Sequence, residues 1–532
     1  MRRHYALLLL VNLAAISPLH LTLSQVHEQQ GLTIPTTSGR IHGKIDPTLP
    51  NVRQFLGVPY AAPPLGHLRF ALPQKLYQPD IQIQATELPP SCIQYQSKHK
   101  NSFGNQDVLQ FFPAGLNHTG PISEDCLTLS IWAPAHAPTS DPDLTDGVPV
   151  VIFSYGGGYQ LGGENVPYQI PAQWVNRTPD HIVLSFNYRL KIFGFPNAPG
   201  LEQNNVLMFD HRAVVEWVRD NIAAFGGDPN RITFWGQSAG AAAIDAYTFT
   251  WYDDPIITGT MLDSGTAVGQ FPTPDTDQLN FTFVANHVGC KGLGNQPAKQ
   301  LACMRTVSAG AINDFLQDYN DNAPDPSLSF RPVIDEKVIF SNYTKRTTEG
   351  KQAKIPAIMG SNRDEGRAFA PYDPDGVNKT VALYLNLSNI FCFATEASKI
   401  RQEYDPLTFR YQYAGNFSNV SPRGWLGAYH SSELPMIMGT HPNYRGPSTP
   451  LEYATSHAFQ DAYLAFARDP VHGLADMNWK PYQHLGGSTV REIGYGVPVQ
   501  DMALTHEESL CNGTVPVFEV TECSLEHPRC PP

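Results

Sequence analysis

The chain has 532 residues, 42% of them hydrophobic and 16% charged, with a formal net charge of -13. That is the composition of a folded protein with ample apolar surface for a large core, and it excludes an intrinsically disordered chain. A negative balance without clustered Lys and Arg also argues against nucleic acid or an anionic membrane as a partner.

The N-terminus, MRRHYALLLLVNLAAIS, sets two arginines before an apolar stretch over residues 6–16 and then turns polar. This is the pattern of a secretory signal peptide, with residues 1–24 as the leader and residues 25–532 as a single domain. The stretch falls short of the roughly 18 to 20 apolar residues that a spanning helix needs, and no other run approaches that length. Further along, VPVVIFS at Val148–Ser154 and HIVLSF at 181–186 have the continuous apolar character of buried parallel strands. Between 206 and 225 the spacing of Val214, Trp217, Val218 and Ile222 is helical, and Gly226, Gly227, Asp228 and Pro229 stop the helix. Residues 231–235 read as a short strand that leads through GQSAG into the small residues 239–243, which favour helix. Apolar runs at 355–359 and 409–413 continue the alternation, which predicts a doubly wound α/β sheet. Residues 272–332, rich in Asp, Asn and Pro, read as an excursion from it.

Eight cysteines, Cys92, Cys126, Cys290, Cys303, Cys392, Cys511, Cys523 and Cys530, lack the spacing of a zinc cluster and fit disulfides in an oxidising compartment. Sequons at Asn117, Asn176, Asn280, Asn342, Asn378, Asn386, Asn416, Asn419 and Asn512 agree with secretion and glycosylation. Asn419 is the weak member, because Pro422 follows its sequon.

Gly236-Gln237-Ser238-Ala239-Gly240 matches G-x-S-x-G in the strand-to-helix setting of a nucleophile elbow. The turn is so tight that side chains two residues either side of the serine would clash, and the helix beyond aims its amide dipoles at a developing oxyanion. Tyr155-Gly156-Gly157-Gly158 ends a strand well before the elbow and supplies backbone donors that a substrate can approach closely. Gly157, Gly158 and the amide of Ala239 are the expected oxyanion donors. A phosphate loop would need Lys-Ser or Lys-Thr after the glycines, and none follows.

With the preceding FDHRAVVEWVRDNIAAFGGDPNRITFW, the GQSAG segment resembles the type-B carboxylesterase and lipase family, whose members include cholinesterases and fungal lipases. Residues 55–70 (FLGVPYAAPPLGHLRF), Glu124-Asp125-Cys126-Leu127 and Asn187-Tyr188-Arg189-Leu190 carry further matches, so the resemblance covers most of the chain. It implies an α/β-hydrolase fold and a catalytic order of Ser, acid, His. Asn362-Arg363-Asp364-Glu365-Gly366 is similar to the family's acid loop, in which the residue before Gly is the acid, hence Glu365, with Asp364 as its rival. Ala428-Tyr429-His430-Ser431-Ser432-Glu433-Leu434 is similar to the histidine motif and singles out His430 among 18 histidines. His430 then takes the Ser238 proton while Glu365 orients and stabilises the imidazolium. The resemblance also implies Cys92–Cys126 and Cys290–Cys303 bridges, a partner for Cys392 among Cys511, Cys523 and Cys530, and ion pairs joining Glu124 to Arg189 and Arg69 to Asp210. Three departures from the pattern stand out: Lys191 replaces a usual Gly, Asp263-Ser264-Gly265 replaces Gln-Ser-Gly, and Ala243 replaces a common Ser.

The loop between Cys92 and Cys126 is the family's flap over the gorge, and here it carries Val108, Leu109, Phe111 and Phe112 and no Trp. Cholinesterases hold quaternary ammonium on a tryptophan in that loop, so choline esters are disfavoured and small-molecule or lipid esters with apolar acyl groups are expected. The motifs look most like those of filamentous-fungal esterases. No cofactor or metal is called for, and any membrane contact is a transient one at a lipid interface. Two other classes share the framework. An acyltransferase or tailoring enzyme would pass the same acyl group to an alcohol, and a non-catalytic adhesion-type relative would have lost the serine.

Overall fold

A computed structural model describes residues 31–98, 121–136, 147–269, 271–322, 328–404, 406–443 and 445–517. The expected leader, Asn117, the apolar cluster at 108–112, Cys523 and Cys530 lie outside the described residues. Eleven strands form the main sheet: β1 (Lys44–Ile45), β2 (Val52–Pro59), β3 (Thr128–Pro134), β4 (Val148–Ser154), β5 (Ile182–Phe186), β6 (Gly227–Gln237), β7 (Gly259–Asp263), β8 (Ala357–Asn362), β9 (Thr408–Tyr413), β10 (Val490–Ile493) and β11 (Val499–Met502). Their spatial order is β11-β10-β9-β8-β7-β6-β4-β5-β3-β2-β1. From β5 across to β10 every pairing is parallel, and both edges are antiparallel.

Parallel strands covered on both faces should be apolar throughout, and all seven residues of β4 and all five of β5 are buried. The chain passes from β4 outward to β5 and then returns to place β6 on the other side of β4. That reversal is a topological switch point, where loops diverge at the strand C-termini and leave a crevice. Gly156, Gly157 and Gly158 follow β4 and Ser238 follows β6, so the two motifs meet there.

The helix read over 206–225 is helix α1 (Val206–Asn221) followed by a 3-10 turn, Ile222–Phe225, which ends at Gly226 with φ 95°. The strand read over 231–235 is longer and begins at Gly227, with an irregularity in its pairing to β4 between Gly227 and Ile232. The elbow leads into α2 (Ala239–Thr250), in which only the last residue is not buried. The excursion folds as α3 (Leu279–His287), α4 (Pro297–Met304) and α5 (Ala309–Asp321) around a separate apolar cluster that includes Phe70, Phe193, Phe281 and Leu316. Beyond β9 lie the short helix α6 (Leu434–Met438) and α7 (Pro450–Arg468), which starts with a Thr449–Glu452 capping box.

Cys92–Cys126 and Cys290–Cys303 are bonded, and Cys392 pairs with Cys511. The two ion pairs correct the expectation, since their partners are exchanged. Arg69 pairs with Glu124, and Arg189 with Asp210. Arg189 Nη2 lies 2.6 Å from Asp210 Oδ1, and its Nε and backbone N–H both donate to Oδ2. Asp210 on α1 thus already closes around Arg189, while Arg69 turns toward the excursion and donates to the carbonyls of Met304 and Val307. Lys191 adopts φ 51°, the left-handed conformation in which a glycine is unstrained, and lays its amine 3.3 Å from the centroid of the Tyr95 ring. Burial pushes that amine down to about 7.

Candidate active site

Ser238 has φ 55° and ψ -125°, an unfavourable conformation for a residue with a Cβ, held because the surrounding glycines let three chains close on it. A Cβ on Gly236 would stand 2.6 Å from the Gly240 carbonyl carbon, one on Gly240 would stand 2.2 Å from Ser154 O, and one on Gly265 would stand 2.1 Å from Ser238 O. The Ser238 N–H donates to Asp263 O at 2.7 Å, which ties the elbow to the end of β7. The serine stays half-buried at the mouth of the crevice.

Across the crevice, Gly156 packs so closely that a Cβ there would lie 2.8 Å from Ser238 Cβ. Gly157 and Gly158 take positive φ, 105° and 63°, and Gly158 is exposed. Gly157 O accepts from the amides of Gln160 and Leu161, which fixes its peptide plane. The N–H groups of Gly157 and Gly158 donate to nothing among the described residues, and Ala239 supplies the first amide of α2.

Glu365 begins the 3-10 turn after β8 and is fully buried. Its Oε2 lies 2.6 Å from His430 Nδ1, and its Oε1 accepts from Ser264 Oγ at 2.5 Å and from the Asn362 N–H at 2.7 Å. The carboxylate can therefore point at only one ring nitrogen. His430 Nε2 lies 3.3 Å from the side-chain amide of Gln237, the residue before the serine, and Phe369 packs on the ring at 4.8 Å. Ser238 Oγ makes no hydrogen bond among the described residues. The structure thus gathers Ser238, His430, Glu365 and the glycine turn at one crevice, and it seats Asp364 away from the imidazole.

A second layer of acids lies beneath, which sequence reasoning did not register. Ser264 follows Asp263 at φ 55°, and its hydroxyl anchors Glu365. Asp263 accepts from Trp235 Nε1 and Tyr463 Oη, each at 2.6 Å, and burial pushes its carboxyl up to about 6. Glu433 accepts from Asn362 Nδ2; burial first, then the negative charges of Glu365 and Asp263, raise it well above the usual carboxylate range. In the sequence this layer showed only as the departure of Asp263-Ser264-Gly265 from the expected motif and as Glu433 within the histidine motif.

A sequence model of the carboxylesterase family matches residues 30–404. The chain is 45% identical to a chlorogenic acid esterase of Aspergillus niger over 444 residues, 84% of each chain. It is 41% identical to secreted lipase 5 of Gibberella zeae over 470 residues, 84% of this chain and 87% of the relative. It is also 28% identical to a cholinesterase of Mus musculus over 503 residues, 83% of this chain and 79% of the relative. With its α/β sheet and elbow serine, the chain belongs to the carboxylesterase family and is a carboxylic ester hydrolase of the α/β-hydrolase fold.

Proposed function

We propose that the protein is a secreted serine esterase that cleaves esters of apolar acids through Ser238, His430 and Glu365. The observation that carries this reading is the 2.6 Å contact between His430 Nδ1 and the buried Glu365 carboxylate, set behind a serine on a positive-φ elbow. A carboxylate in that place favours the tautomer with a proton on Nδ1 and leaves Nε2 able to take the Ser238 proton as Oγ attacks the ester carbonyl. The tetrahedral oxyanion sits against the amides of Gly157, Gly158 and Ala239. The imidazolium returns its proton to the departing alcohol, which leaves an acyl-serine. Water, deprotonated by the same ring, then releases the acid.

Residues 25–532 act as one catalytic domain in this reading, supported by a single sheet whose strands run from Lys44 to Met502. Secretion is supported by the N-terminal pattern, the sequons and the name of the Gibberella zeae relative. The names of the two fungal relatives make chlorogenic acid and lipid esters the two natural substrate types to test, the second with transient contact at a lipid interface.

The test is a series of p-nitrophenyl esters from acetate to palmitate, together with chlorogenic acid, on the wild type and Ser238→Ala. The expected result is hydrolysis that improves beyond acetate and falls on the order of 10⁴-fold in the variant. A variant that keeps a tenth of the rate would remove the serine mechanism, and a preference for acetate would remove the apolar acid.

A further inference from the structure

Asp364 sits beside Glu365 yet points the other way, and its surroundings show what it does. Its N–H donates to Ala428 O at 3.0 Å, and its Oδ2 accepts the Ala428 N–H at 3.0 Å. One residue therefore closes a two-way hydrogen-bonded pair with the chain two positions before His430. Asn362 Nδ2 adds a bond to Tyr429 O at 2.8 Å, and Arg367 Nη1 donates to Trp425 O. The acid loop and the histidine loop are thus stitched together along their length, with the Glu365–His430 contact as the last stitch.

The carboxylate is the centre of this seam. It is 9% exposed, and its charge is met by Arg367 Nη2 at 2.7 Å on Oδ1 and Arg363 Nε at 3.3 Å on Oδ2. The histidine loop folds directly around it. Gly427 takes φ 61°, and a Cβ there would stand 2.1 Å from Asp364 Oδ2, so no other residue lets the chain pass so close. Ala428 is fully buried, so losing the acceptor would strand its N–H away from water and favour a shifted loop.

We infer that Asp364 is a positioning residue for His430: its carboxylate latches the histidine loop to the acid loop and so sets the Glu365–His430 alignment. The inference rests on His430 being the catalytic base. An imidazole displaced by about an ångström costs as much as 10²-fold in rate even when nothing at the reacting atoms has changed.

The experiment compares wild type, Asp364→Ala, Asp364→Asn and His430→Ala on a p-nitrophenyl ester, with rates divided by the active-site concentration titrated with an organophosphonate. Asp364→Ala should lower kcat per titrated site about 10- to 100-fold with KM within about 3-fold. Asp364→Asn keeps an oxygen for the Ala428 N–H and should recover to within about 3-fold of wild type. Two results would overturn the latch: Asp364→Ala losing only titratable sites while kcat per site is unchanged, or Asp364→Asn being as slow as Asp364→Ala. If Asp364→Ala does not fold, Gly427→Ala forces a methyl against Oδ2 and should lower kcat per site in the same way; an unchanged kcat there is equally contrary. His430→Ala keeping wild-type activity would instead refute the base assignment itself, a failure distinct from that of the latch.

Discussion

Replacing Glu365 with glutamine keeps size and shape while removing the charge from the acid in contact with His430. The Gln oxygen can still accept from Ser264 Oγ and the Asn362 N–H, which hold Oε1 at 2.5 and 2.7 Å. The amide nitrogen must then occupy the Oε2 position, 2.6 Å from Nδ1. An N–H facing Nδ1 makes that nitrogen an acceptor and drives the ring proton onto Nε2, where the serine proton has to go. Wrong tautomer and lost imidazolium stabilisation together should lower kcat on the order of 10⁴-fold, or about 5 kcal/mol of transition-state stabilisation. Steady-state hydrolysis of p-nitrophenyl butyrate, with thermal unfolding as the check on folding, measures this. A folded Glu365→Gln protein within tenfold of wild type would refute the reasoning and place the acid elsewhere.

Glu164 is buried, with one oxygen held by Thr128 Oγ1 at 2.5 Å, and burial raises it from 4.5 to about 8 despite the Ser130 and Thr128 hydroxyls, which favour its charged form. Between those pH values the unfolded chain gives up a proton that the folded chain keeps, so stability falls as pH rises. Glu164→Gln should match wild type near pH 4 and exceed it by about 3 kcal/mol at pH 7, read from denaturant midpoints, and parallel curves would contradict this. Peptide mapping of secreted protein should find glycans at the exposed Asn342, Asn378, Asn416 and Asn512. It should find none at Asn419, which is buried with its Nδ2 donating to His441 O and Ser448 Oγ, against the simple sequon reading. Mapping without reduction should recover a Cys392–Cys511 linked peptide, and replacing both cysteines should cost roughly 2 to 5 kcal/mol.

The parts of the fold legible in the sequence were those written locally. VPVVIFS is almost wholly apolar because both faces of β4 are covered, and Gly236 is required by its close approach to Gly240 and Ala241 within the elbow itself. The strand before Arg231 was not legible, because Gly227, Asp228 and Pro229 look like a turn while the pairing of Gly227 with Val148 carries β6 through them. The exchanged ion pairs were illegible for a different reason. Arg69, Glu124, Arg189 and Asp210 offer two pairings of equal charge, and only the position of Asp210 on α1 beside the Arg189 backbone decides between them. The acid layer depends on Asp263, Glu365 and Glu433 arriving from three distant segments at one buried point, and no spacing records that convergence. Asp364 and Glu365 differ in role because successive side chains leave the loop in opposite directions. Adjacency could pose that choice; in the structure Glu365 contacts His430 and Asp364 contacts Ala428.

Whether Ser238 is the nucleophile is tested by covalent labelling of the native protein with a fluorophosphonate, followed by mass spectrometry of the intact chain and its peptides. One adduct per chain is expected, on Ser238, with labelling lost in Ser238→Ala and slowed in parallel with ester hydrolysis in Glu365→Gln. An adduct on another serine, or hydrolysis that continues on fully labelled protein, would contradict it.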